Sequence, residues 1–141
     1  MKTFGTAEWS GGFKDGKGAI STKSGALANY PYGVAARFEG KPGTNPEELI
    51  GAAHAGCFTM ALSLMLGEAG LTAEHMDTKS EVELEKDGAG FSIKKIHLTL
   101  NAKIPGTDEA KFQEIAKQAK EGCPISKLFN ATITMDATLV G

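Results

Sequence analysis

From Leu49 to Leu66 the chain reads LIGAAHAGCFTMALSLML, without a single Lys, Arg, Asp or Glu. No other feature limits the fold as much. A helix that is apolar on every side has to be buried on every side. The 141 residues are enough for one domain with a real core. One small domain nevertheless has trouble wrapping such a helix alone, so a second copy of the chain is expected to cover it. The segment is about as long as the shortest membrane span. However, Gly51, His54, Gly56, Thr59 and Ser63 interrupt it, acids flank it at Glu47, Glu48 and Glu68, and no basic cluster borders it to set an orientation. The expectation is a core helix and no membrane.

With 15 Lys and Arg against 17 Asp and Glu, the formal charge is -2, so no basic surface calls for nucleic acid. There is no charge block, low-complexity tract, internal repeat or long linker, and residues 1–141 read as one domain. The opening MKTFGTAEWSGG has no apolar run behind its lysine and does not read as a signal peptide. Two cysteines far apart argue against a disulfide scaffold and for a reducing, cytoplasmic compartment.

The first part, KTFGTAEWSGGFKDGKGAISTKSG, is rich in glycine and β-formers and reads as a hairpin. A third strand is expected at Val34 to Phe38. TNPEEL then marks a helix start: Asn45 as N-cap, Pro46 in the first helical position, Glu48 where a capping-box acid belongs. That leaves Glu47 without a capping job. SEVELEKDGAGFSIKKIHLTLNAKI is the clearest hairpin, turning at Asp87–Gly90. Phe91 and Ile93 share one parity whereas Ile96, Leu98 and Leu100 share the other, so a bulge at Lys94-Lys95 is expected. TDEAKFQEIAKQAKEG predicts an amphipathic helix capped by Thr107, with the apolar stripe Phe112, Ile115, Ala116 and Ala119. A final strand alternates Ile133, Met135, Ala137 and Leu139. The order is βββ-α-ββ-α-β, an α+β domain with a mainly antiparallel sheet.

Several residues carry chemical potential. Cys57, in the middle of the apolar helix, is either a buried structural cysteine or a thiol whose activating charges come from elsewhere in the chain. Cys123, in EGCPIS, is either a turn residue or the N-cap of a short helix that Pro124 begins. His54 lies three residues before Cys57, so the two can share a helix face, as a metal site or a base and nucleophile, or His54 is simply hydrogen-bonded in the core. No CxxC or HxxxH supports zinc. Arg37 is either an exposed strand arginine or the cation that ionises a thiol, and Glu47 either a first-turn acid or the carboxylate that orients that guanidinium. Tyr30 and Tyr32 either pack in a turn or line an apolar pocket.

Taken together, RFEG, TNPEELIGAAHAGCFTMALSLMLGEAG and GCPIS resemble the OsmC/Ohr family of hydroperoxide reductases, and the resemblance covers nearly the whole chain. By position, Cys57 matches the family's peroxidatic cysteine, Cys123 its resolving cysteine, and Arg37 with Glu47 the pair that activates the thiolate. His54 has no catalytic part in the family pattern. The resemblance implies an OsmC-like fold, a tightly intertwined homodimer, and two-electron reduction of organic hydroperoxides in stress defence through a Cys57–Cys123 disulfide. It implies no metal, haem or flavin cofactor, and a dithiol reductant such as a lipoylated protein. The rival readings are a non-enzymatic redox sensor and a metal-binding stress protein using His54, Cys57 and Cys123. Neither needs Arg37 and Glu47.

Helix geometry adds one constraint. Glu47 and Cys57 are ten residues apart on one helix, ~15 Å along its axis and on different faces. If both serve one site, Glu47 must come from a second chain.

Overall fold

The computed structural model describes all residues from Met1 to Gly141, in two compact units, Met1–Leu49 and Ile50–Gly141.

In the first unit β1 (Gly5–Ser10), β2 (Lys17–Thr22) and β3 (Tyr30–Tyr32) form an antiparallel sheet in that order. Trp9 packs edge-on to Tyr32 at 5.6 Å, and its indole N–H donates to the Gly11 carbonyl at 3.2 Å. The strand expected at Val34 to Phe38 is instead a short helix, α1 (Val34–Phe38). The third place in the sheet is already taken by Tyr30–Tyr32, paired with Gly18–Ile20. The α1 backbone therefore satisfies itself locally: Arg37 N–H donates to Gly33 O at 3.0 Å and Glu39 N–H to Ala35 O at 2.9 Å. Ala35 and Ala36 are good helix formers and oppose nothing in that choice. None of the chain's buried apolar side chains lies in this unit, while Phe4, Phe13 and Tyr30 are exposed.

α2 (Pro46–Glu68) begins as expected. The Asn45 side chain accepts from Glu48 N–H at 2.8 Å. Only half of a capping box forms, because the Glu48 carboxylate takes the Thr44 hydroxyl at 2.8 Å.

In the second unit β4 (His75–Asp87), β5 (Gly90–Lys103) and β6 (Thr132–Leu139) form a sheet in that order. β4 and β5 pair antiparallel around a tight turn at Gly88-Ala89, where Gly88 has φ 61. Glu83 pairs with Lys95 and Leu84 with Ile93, so Lys94 is the extra residue and the expected bulge is there. β6 pairs parallel to β5, an arrangement that needs a crossover. α3 (Glu109–Gly122) and α4 (Pro124–Leu128) supply it. The cap of α3 is Asp108, not Thr107: Asp108 has extended backbone and its carboxylate accepts from Lys111 N–H at 2.8 Å. Thr107 stands one residue too early for that contact.

One face of this sheet carries the core. Leu98, Leu100 and Ala102 of β5 pack with Phe58, Leu62 and Leu66 of α2 and with Phe112, Ala116 and Ala119 of α3. The α3 stripe is the one its periodicity predicts. α2 itself is only half covered within one chain: Met60 and Leu64 are 77% and 64% exposed, in line with exposed Ala53, Gly56 and Gly67 at helical spacing.

Candidate active site

Within the first unit, Arg37 and Glu47 meet. The Nε of Arg37 donates to both carboxylate oxygens of Glu47, at 3.0 and 3.2 Å, and a terminal nitrogen also donates to Oε1. This fixes the guanidinium in one plane. α1 presents Arg37 in its last turn and α2 presents Glu47 in its first. The Glu47 side chain is largely buried, that of Arg37 about one-third exposed.

Within the second unit, Cys57 and Cys123 meet as free thiols. Burial pushes the Cys57 thiol up from its ordinary pKa. The neighbouring Cys123 thiol adds to the rise, and the Ile125 backbone beside the sulfur opposes it. Cys123 ends α3 and caps α4. Its sulfur accepts from Ser126 N–H at 3.3 Å, and its thiol donates to Ser126 Oγ at 3.1 Å. The N-cap reading of Cys123 therefore holds.

His54 turns to a different partner from the one its spacing suggested. Its Nε2 lies 2.7 Å from Ser126 Oγ, and the Phe129 ring stands perpendicular to it at 5.2 Å. It is fully buried, and burial lowers its pKa, keeping the ring neutral. Its Nδ1 has no hydrogen-bond partner. Ser126 escaped sequence analysis. The only local signal was its place three residues after a helix-capping Cys123, and its bond to His54 spans 72 positions. Tyr32 packs against Trp9 and Tyr30 lies exposed on β3.

The chain matches the family of OsmC-like proteins over residues 38–138. It is 56% identical to the peroxiredoxin OsmC of Escherichia coli K12, over 96% of this chain and 94% of that one. The chain belongs to the OsmC-like protein family. It is also 35% identical to the organic hydroperoxide resistance protein OhrB of Bacillus subtilis, across 86% of this chain and 88% of OhrB. The crystal structure of that OhrB superposes with a TM-score of 0.72 at 30% identity, covering 97% of this chain and 98% of the other. The OsmC-like architecture, with strands and helices in the order read from the sequence and two short helices added, is thus the fold of this chain.

Proposed function

We propose that this OsmC-like protein is a thiol peroxidase that reduces organic hydroperoxides to alcohols in oxidative and osmotic stress defence. Supporting this reading most directly is the meeting of Cys57 and Cys123, two thiols brought together from elements 66 positions apart. The Cys57 thiolate attacks the distal peroxide oxygen. The O–O bond breaks, the alcohol leaves with a proton, and Cys57 becomes a sulfenic acid. Cys123 condenses with it to a disulfide and water, and a dithiol, for which a lipoylated protein is the proposed carrier, restores both thiols.

Burial works against the Cys57 thiolate, so the site needs a cation. Arg37, held planar by Glu47, is the proposed one. Glu47 and Cys57 share α2, ten residues and ~15 Å apart along its axis. We therefore place the Arg37–Glu47 pair of one chain at the Cys57 of its partner, in an intertwined homodimer. Two further features fit a dimer. The first unit has no buried apolar core of its own, and α2 leaves Met60 and Leu64 open to contact. The enzyme is soluble, and we place it in the cytoplasm, where reduced cysteines persist.

The reading is tested by steady-state turnover of cumene hydroperoxide and of hydrogen peroxide, each with dihydrolipoamide and with glutathione. The expected result is a higher kcat/KM for cumene hydroperoxide, supported by dihydrolipoamide. Equal use of both peroxides with glutathione alone would contradict it.

A further inference from the structure

His54 and Ser126 have no part in the peroxidase scheme, yet Ser126 touches its second thiol and His54 touches Ser126. Cys123 is completely buried, and both hydrogen bonds of its sulfur go to Ser126. A thiol has to lose its proton to attack. The Cys123 proton points at Ser126 Oγ, 3.1 Å away. A serine hydroxyl is too weak a base to keep it, but Ser126 Oγ lies 2.7 Å from a base, Nε2 of His54. The relay uses the neutral tautomer that carries its proton on Nδ1, which leaves Nε2 as the acceptor.

We propose that Ser126 and His54 form a proton relay for the resolving thiol. As Cys123 attacks the sulfenic acid on Cys57, its proton passes to Ser126 Oγ while the proton of Ser126 passes to His54 Nε2. The S–S bond forms and the S–O bond of the sulfenic acid breaks. The departing hydroxide takes up one proton from solvent, and His54 then returns its proton to solvent, restoring the neutral ring. Thiol and sulfenic acid thus give disulfide and water, with no net proton gained or lost. During the step Ser126 turns both its N–H and its O–H toward the developing thiolate, and the buried imidazolium is compensated by that negative charge one hydroxyl away. Ser126, which touches a reacting atom, is catalytic in this step. His54 is a positioning and proton-holding residue acting through it. His54 stands three residues before Cys57 on α2.

This inference rests on the peroxidase reading, and its test separates the two. Reduced protein is mixed with one equivalent of cumene hydroperoxide, and two steps are timed by rapid quench: oxidation of Cys57, trapped with dimedone, and formation of the Cys57–Cys123 disulfide, by mass spectrometry. In Ser126→Ala we expect oxidation within two-fold of the wild type and disulfide formation slowed by roughly 10²-fold. Ser126→Thr, which keeps the hydroxyl, should recover most of that rate. His54→Gln accepts the Ser126 hydrogen bond without holding a proton, and should slow disulfide formation as selectively as Ser126→Ala. A disulfide rate within two-fold of the wild type in Ser126→Ala or His54→Gln overturns the relay. So does an equal fall in both steps, or no recovery in Ser126→Thr. If wild-type Cys57 does not oxidise at all, the peroxidase reading fails, and the relay falls with it by a separate observation.

Discussion

Arg37 meets Glu47 side-on, its Nε reaching both carboxylate oxygens, and both residues belong to the same chain. Ten positions apart, they are joined because α1 ends and α2 begins around one short connection. A thiolate stabilised by Arg37 therefore depends on Glu47 as well, and whichever chain supplies one supplies the other.

Mixed dimers test that pairing. Cys57→Ser and Glu47→Ala are each expected to be dead or nearly so alone. Co-expressed, one site of the mixed dimer joins an intact Cys57 to an intact Glu47 and recovers activity. Arg37→Ala should rescue Cys57→Ser in the same way. Arg37→Ala with Glu47→Ala should show no rescue, because neither chain then carries a complete pair. Recovery in that last combination, or none in the first, would place the pair differently.

The pH profile reports the cation. Burial raises the Cys57 pKa, so the thiolate fraction, and with it the rate of Cys57 oxidation, rises with increasing pH. In the proposed site Arg37 favours the charged form and moves that rise downward. Arg37→Met should move the rising limb up by about one to three pH units, the effect expected of a neighbouring charge. Stopped-flow oxidation rates measured across pH check this, and an unmoved limb would remove Arg37 from the site.

Helix capping provides a stability test outside the site. Asp108→Ala should cost about 1 kcal/mol, since it frees the Lys111 N–H at the start of α3. Thr107→Ala should change stability by less than about 0.5 kcal/mol. Urea melts of the two variants check the assignment.

Much of this architecture was legible because it is periodic. The stripe Phe112, Ile115, Ala116, Ala119 and the parity change around Lys94 are local patterns, and both appear as read. The error at Val34–Phe38 has a local cause too. Val34 and Phe38 are β-formers, whereas the actual strand contains Pro31, which a sheet accepts at an edge such as β3. The parallel pairing of β5 with β6 has no mark in either strand's own residues. The site divides in the same way. Cys57, Cys123, Arg37 and Glu47 were named from the sequence, all four by chemistry that the family pattern made specific. The bond between His54 and Ser126 joins α2 to α4, and no local spacing foretells it.

The disulfide should lie within one chain, because the two thiols already meet there. One equivalent of peroxide is expected to give a peptide pairing Cys57 with Cys123 and no covalent dimer on a non-reducing gel. A ladder of disulfide-linked dimers would contradict this.

The central claim is that Cys57 attacks and Cys123 resolves, and counting peroxide consumed per site in two variants tests it most directly. Cys57→Ser should consume none. Cys123→Ser should consume about one equivalent and then stall, with Cys57 over-oxidised. One turnover in Cys57→Ser, and none in Cys123→Ser, would reverse the roles and contradict the account.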